Sequence, residues 1–320
     1  MSTNGLVTAS SLNLRSQPKI SRNILASLPK GTSVKIIRTL EGDPYSVADR
    51  TQKDWHEVQI NGHAGFVAAG FVSINRQIRA VWIVDHAHSP VLKSSQTISD
   101  ALTFLQENGF NTVFPAIWNR GYTAYPSSVM ENHGFPKQDP IYASAGFDPL
   151  REIVNQGKKK GIAVFPWFEY GFAASAAANG GHILQTKSHW SAINSSGGKV
   201  RHGNLTWMNS LNAEVQDFVQ DLILEVIQTY DVDGIQGDDR LPAMPLTGGY
   251  DAEIKNRFRS QFGSNPPNHG NASNWVQFRA NILTQFLGQL YREVKRAKSS
   301  CVVSMAPASF PYSPERVTNE

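Results

Sequence analysis

A single cysteine, Cys301, in 320 residues leaves no partner for an intrachain disulfide, so any fold must be held by its packed interior. Its setting in Cys301-Val302-Val303 reads as a packed strand. Long hydrophobic runs are missing too. A run such as Ala80 to Val84 is far short of the roughly 20 residues that span a bilayer. The start lacks the basic segment, apolar stretch and small-residue cleavage site of a secretory signal. Either such a signal was removed or export takes another route, and the expected location is the cell envelope or the extracellular space. Charge of one sign is not in large excess, with 30 Lys and Arg against 26 Asp and Glu, and Lys158 to Lys160 is the one dense basic run. With no basic stripe interleaved with aromatics, a nucleic-acid partner is not expected. The net charge of +4 suits weak attraction to anionic wall polymers, and equally suits plain solubility.

The remaining composition is globular, at 40% hydrophobic and 18% charged residues, and the length favours two domains. From Leu6 to Asn75 the chain alternates short β runs with turn residues: Leu12 to Arg15, Val34 to Thr39, Trp55 to Ile60 and Gly65 to Val72. This pattern predicts a small all-β domain over residues 1–75. Asn61-Gly62 is a two-residue hairpin signal, and Pro29-Lys30-Gly31 is turn chemistry. Trp55 reads equally well as a core residue or a ligand-facing one.

After Asn75 the rhythm becomes strand, helix, strand over residues 76–320. Predicted strands are Arg79 to Asp85, Asn111 to Trp118, Ile162 to Tyr170, Asp233 to Asp239 and Cys301 to Ala306. Helices are expected over Thr97 to Glu107, from Pro149 to Lys160, from Asn212 through Ile227, and from Asn274 to Lys298. Asp148 serves as N-cap of the second of these, Pro149 is its first residue, and Gly161 is its stop. Continuous apolar strands imply a parallel sheet, in either a (β/α)8 TIM-type barrel or a doubly wound layer. Long segments rich in Trp, Tyr, Asn, His and Gly after strands two, three and four favour the barrel. Five strands are visible where a full barrel has eight, so the expected α/β barrel is incomplete, as if C-terminally truncated.

Glycosidic cleavage uses two carboxyl groups flanking the bond. Adjacent carboxylates at a strand end raise each other's proton affinity, which makes Asp238 and Asp239 candidate catalytic groups. Side-chain alternation predicts that Gln236 and Asp238 share the pocket face while Asp239 takes the other, unless the backbone turns there. Glu169, in Trp167-Phe168-Glu169-Tyr170, ends the third strand among aromatics and is the candidate acid. A structural reading competes in each case, as a cap, a salt-bridge network or a glutamate held by a neighbouring cation. Asp85, Trp118, Asn119, Arg120, Tyr122, Trp167, Tyr170, Asn209 and Gln236 are candidate substrate contacts, through aromatic stacking or hydrogen bonds, although each also suits a loop brace. His133, His182, His189 and His202 sit in loops without ligand spacing and read as solvated.

Two resemblances rest on these segments. Leu12-Asn13-Leu14-Arg15-Ser16, Leu28-Pro29-Lys30-Gly31-Thr32, Trp55, Asn61-Gly62 and Gly65-Phe66-Val67 resemble a bacterial SH3-type domain, whose members commonly bind peptidoglycan or its peptides. From Arg76 onward the chain resembles the bacterial glycosyl-hydrolase-like family 10. The carriers are Arg79-Ala80-Val81-Trp82-Ile83, Asn111-Thr112-Val113-Phe114, Tyr125-Pro126-Ser127, Asp148-Pro149-Leu150, Trp207-Met208-Asn209, Asp231 to Asp239 and Ser304-Met305-Ala306-Pro307. Pro166 to Tyr170 is especially similar to cyanobacterial members. The resemblance implies an amylase-related barrel, Asp238 in the place of the nucleophile, and a peptidoglycan-type wall glycan or related polysaccharide as substrate. Arg240 departs from the pattern, since an aromatic residue or His usually follows the aspartate pair. The fifth strand offers no carboxylate where amylase-type barrels place their acid.

The expected function is therefore a glycoside hydrolase with no cofactor. A non-catalytic carbohydrate-binding or wall-binding protein is the alternative. A third reading starts from Asp85-His86-Ala87-His88, because His-x-His after a first barrel strand is how amidohydrolase-type metal sites begin. The fourth and fifth strand ends supply no further His or Lys, so Asp85 is read as pocket lining and no metal is expected.

Overall fold

In the computed structural model, residues 3–47, 50–74, 78–85 and 87–306 are described. The chain divides into two units, residues 1–78 and 79–320. In the first, seven strands form one antiparallel sheet: β1 (Thr3–Val7), β2 (Ser11–Arg15), β3 (Ile24–Pro29), β4 (Ser33–Val47), β5 (Arg50–Ile60), β6 (His63–Ala68) and β7 (Val72–Ile74). Their order is β3-β2-β6-β5-β4-β1-β7. Asn61 and Gly62 have φ of 47° and 84°, the mirror-type turn that pairs Ile60 with His63. Trp55 settles as core, 1% exposed among Val7, Leu14, Val34, Val58 and Val67, with its indole N–H donating to Asp43 O at 2.9 Å. β1, β3 and β7 are additions to the four strands read from sequence.

The second unit carries five parallel segments: β8 (Ala80–Ile83), β9 (Thr112–Pro115), a third strand broken into β12 (Ala163–Val164) and β13 (Trp167–Phe168), then β17 (Gly234–Gly237) and β18 (Val302–Met305). Between β9 and β12 lies a small hairpin, β10 (Trp118–Asn119) and β11 (Tyr122–Thr123). A three-stranded antiparallel insertion follows β13, made of β14 (Ala173–Ser175), β15 (Arg201–His202) and β16 (Leu205–Trp207). A parallel bridge from Ala116 to Trp167 and the bond from Gln236 N to Pro166 O join the segments side by side in chain order. A doubly wound sheet reverses its order at a switch point; this one does not, which is the barrel's pattern. The described residues supply five of the eight strands of a complete barrel.

Helices α1 (Ser95–Glu107), α2 (Ser128–Asn132), α3 (Pro140–Ser144), α4 (Pro149–Lys160), α5 (Gly181–Thr186), α6 (Ala213–Thr229), α7 (Ala252–Phe262) and α8 (Ser273–Ala297) complete the unit. α4 starts and stops where its sequence demands. Asp148 accepts from Arg151 N, Pro149 fills the first position, and Gly161 ends the helix at φ 67°. Asn212 likewise caps α6 through Val215 N. Apolar faces of α1, α4, α6 and α8 bury Leu102, Ile153, Phe218, Ile223, Phe286 and Leu290 in one continuous core that includes Ile83, Val113, Phe168 and Ile235 of the strands. Cys301, just before β18, is fully buried there.

Candidate active site

The loops after the C-terminal strand ends gather a cluster of charged groups. β17 ends at Gly237 and the chain turns at once, the case in which strand alternation does not set the faces of Asp238 and Asp239. The amide of Asp239 donates to Asp238 Oδ1 at 2.5 Å. Arg240 serves both acids, with Nη2 3.3 Å from Asp238 Oδ2 and Nε 3.4 Å from Asp239 Oδ1. The same guanidinium donates to Glu169 O at 3.1 Å and sits 5.8 Å over the Tyr170 ring. Gly171 makes this approach possible. It adopts φ +48°, and a Cβ there would fall 2.3 Å from Arg240 O.

Burial pushes the Asp238 carboxyl up to about 7, helped by its hydrogen bond with the Asp239 carboxyl and opposed by the Asp239 amide and Arg240. Burial also pushes Glu169 upward, against the hydrogen bond from Asn119 and the charge of Arg240. Both acids therefore hold protons at higher pH than free carboxyls do, as proton-transfer groups need.

A second knot lies beside the first. Asp85 is buried, its Oδ1 is 2.5 Å from His88 Nδ1, and its Oδ2 is 3.1 Å from Arg120 Nε. Arg120 also reaches Asp139 Oδ2 at 3.2 Å. Asn119 Nδ2 donates to Glu169 Oε2 at 2.5 Å. Thus Asp85, Asn119, Arg120, Glu169, Tyr170, Asp238 and Asp239 come together. Gln236 is buried on β17 and accepts from Trp82 Nε1 at 2.9 Å. Trp82 itself is 48% exposed and stacks on Phe114 at 5.2 Å, an open aromatic face that the sequence reading did not single out. Trp167 is half-buried in register with Gln236.

Three other candidates are placed elsewhere. Trp118 is fully buried, donating to Gly171 O at 2.9 Å, so its ring packs the core. Asn209, 1% exposed, donates to Asp251 Oδ2 at 2.8 Å and braces the loop into α7. The Tyr122 ring lies 4.2 Å from His182. His182 and His133, expected to be solvated, instead pack against aromatic rings, and burial pushes both down. His86 lies outside the described residues. Among the described residues no three His, Cys, Asp or Glu side chains converge as metal ligands would.

An apolar cavity of about 370 Å³ opens beside the acid pair, lined by Leu241, Pro242, Met244, Val276, Leu283 and Met305 with Asp238 and Asp239. Arg279 braces its wall, donating to the carbonyls of Leu246, Gly248 and Gly270. In the first unit a cavity of about 230 Å³ is lined by Asn13, Arg15, Ile20, Tyr45, Trp55 and Phe71.

Comparison with known proteins agrees with these features. Residues 77–316 match the family model described as glycosyl hydrolase-like 10, and residues 10–73 match that of the bacterial SH3 domain. "Glycosyl hydrolase DigH" of Escherichia coli (strain K12) is 25% identical over 227 residues, 67% of this chain and 47% of that protein. The chain thus spans about half the length of the curated relatives it matches. An "S-layer-related protein" of Niallia circulans is 25% identical over 170 residues, 48% of this chain and 10% of that protein. Among solved structures, the α-L-fucosidase isoenzyme 2 of Paenibacillus thiaminolyticus superposes with TM-score 0.52 at 16% identity, covering 72% of this chain and 32% of that one. At that identity the likeness speaks for the barrel fold alone.

Proposed function

From the premise that this chain belongs to the glycosyl hydrolase-like 10 family, we propose that its second unit is a glycosidase acting on a bacterial wall glycan of the peptidoglycan type or a related polysaccharide. The carrying observation is the Asp238–Asp239 pair at the end of β17, with the Asp238 carboxyl pushed up by burial, close to a half-buried acid, Glu169. In this reading Asp238, ionised by loss of its proton to solvent, attacks the anomeric carbon. Glu169 donates its proton to the departing sugar oxygen, then receives one from the water that releases the product. Arg240 holds the charge that remains on the pair. Asp85, Tyr170, Trp167, Gln236 and the open face of Trp82 are the proposed sugar contacts.

Asp238→Asn tests this. It is expected to abolish release of reducing ends from purified glycan while leaving glycan binding nearly intact. Equal release by the variant and the native chain removes Asp238 from the chemistry. One observation favours a second reading, a carbohydrate-binding protein without turnover: Arg240 already pairs with both aspartates and covers the presumed nucleophile. No release by the native chain from any wall or polysaccharide panel selects that reading.

The first unit is proposed as the wall anchor, with the cavity beside Arg15, Ile20 and Tyr45 as its ligand site. A tether raises the local concentration of an insoluble polymer without touching the chemistry. Residues 76–320 alone should therefore cleave short soluble glycans normally and bind intact sacculi much less well, as a pull-down measures. Equal sacculus binding by both forms removes the anchor role. An envelope or extracellular location belongs to the same proposal. Among the described residues no helix is long and apolar enough to cross a membrane.

A further inference from the structure

Glu169 is linked to the end of β8 by an unbroken run of side-chain contacts. Asn119 Nδ2 donates to Glu169 Oε2 at 2.5 Å, while Asn119 Oδ1 accepts from Arg120 Nε at 3.0 Å. That Nε lies 3.1 Å from Asp85 Oδ2, and Arg120 Nη2 donates to Asp139 Oδ2 at 3.2 Å. An amide offers an acceptor on one side and donors on the other, so an Oδ1 engaged by Arg120 leaves only the donor side for Glu169. The backbone bears a cost for this arrangement. Arg120 adopts φ +55° and Gly121 φ +80°, the mirror-type turn between β10 and β11 in which Asn or Gly is favoured at both positions. An arginine in that region is held by its surroundings, and strain of this kind concentrates at functional sites.

We infer that Asn119 and Arg120 are positioning residues: Arg120, anchored on Asp85 and Asp139, locks the Asn119 amide so that its donor holds the Glu169 carboxyl in place. This rests on the reading of Glu169 as the proton donor, and it moves Arg120 from sugar contact to support. The groups that face Glu169 are Asp85 and His88 from the loop after β8, Asn119 and Arg120 from the hairpin, Tyr170 next to it in the turn after β13, and Arg240 with its two aspartates from the loop after β17. A donor to the charged form favours ionisation, so the Asn119 bond opposes the upward push of burial. Loss of that bond raises the carboxyl's proton affinity, and an acid that must be protonated then stays active to higher pH.

The test is a carbon-13 side-chain titration of Glu169 in the free, full chain, assigned by comparison with Glu169→Gln. Native protein, Asn119→Leu, Arg120→Met and the double variant are compared. The Glu169 midpoint is expected to rise in both single variants, and the double variant to rise no further than Asn119→Leu, because the two act through one bond. The alkaline limb of glycan cleavage should rise with it. Arg120→Lys keeps a charge near Asp85 without the planar fork and should give a smaller rise; it replaces Arg120→Met if thermal denaturation shows the latter unfolded. An unmoved midpoint in Asn119→Leu, or in a folded Arg120 variant that has lost activity, overturns the inference. A native chain that cleaves no glycan overturns the glycosidase reading instead, and the titration, made without substrate, tells the two failures apart.

Discussion

The two units treat buried polarity differently. In the first, the large amphipathic side chains are satisfied: Trp55 Nε1 bonds Asp43 O, and Tyr45 Oη donates to Asp54 O at 2.6 Å while accepting from Gly70 N at 2.9 Å. Among the described residues of that unit no buried side-chain nitrogen or oxygen lacks a hydrogen bond. In the second unit several atoms lack one: Asp85 Oδ2, Trp167 Nε1 and Asp239 Oδ1 lie at or just beyond strand ends, while others, such as Trp190 Nε1, Ser210 Oγ and Trp275 Nε1, lie elsewhere in the unit. Asp85 Oδ2 and Asp239 Oδ1 meet Arg120 and Arg240 as charge contacts, while Asp85 Oδ1 bonds His88 Nδ1. Leaving buried polar groups without hydrogen bonds costs stability, a cost that the second unit bears both at the site and elsewhere in its interior. The first unit makes no such concession within its described core.

Substitutions in the two units should therefore fail in opposite ways. Asp238→Asn is expected to cut turnover by about a thousandfold or more, the scale of losing a reacting carboxylate, with little loss of fold. Its thermal stability should even rise at high pH. The Asp238 proton affinity is raised on folding, so the native chain bears a cost that is absent below the unfolded value and full above about 7. Melting curves of native and variant at pH 5 and pH 8.5 check this: the variant should gain more at pH 8.5. Trp55→Ala, the largest buried side chain of the first unit, should destabilise that unit by about 3–5 kcal/mol and leave cleavage of short soluble glycans unchanged. Parallel losses of turnover in both variants would break the contrast. Gly171→Ala sharpens it with a smaller effect. A Cβ at φ +48° that meets Arg240 O must displace the Arg240 backbone, and turnover should fall about tenfold to a hundredfold, since small misplacements at a site cost that much. Steady-state kinetics on a soluble glycan, with circular dichroism to confirm the fold, measure it.

Local chemistry was the legible part. Asp148, Pro149 and Gly161 mark α4 because capping and positive φ are properties of single residues, and Asn61-Gly62 marks its hairpin for the same reason. The five parallel strands follow from apolar runs, and the aspartate pair from its place after one of them. What could not be read depends on contacts across the chain. One local signal was passed over: β9 ends at Pro115 and the third strand breaks at Phe165-Pro166, where proline has no N–H to give the ladder. Gly121 signals a turn, but Arg120 has little preference for positive φ, so nothing local tells that the turn brings it to Asp85, 35 residues earlier. Trp118 and Asn209 match a sugar-binding composition, yet Gly171 O and Asp251 claim their polar atoms. Arg240 was visible as a departure from the family pattern; its grip on both aspartates is visible only in three dimensions.

The most direct test of the account is the pH dependence of kcat/KM for glycan cleavage by the native chain between pH 5 and 9. If Asp238 is the nucleophile it must be ionised, and its proton is held up to about 7. Activity should then fall on the acid side, through a limb centred near 7, and that limb should disappear with the activity in Asp238→Asn. A limb centred near 7 on the alkaline side instead, with full activity at pH 5.5, would make Asp238 the proton donor and contradict the assignment.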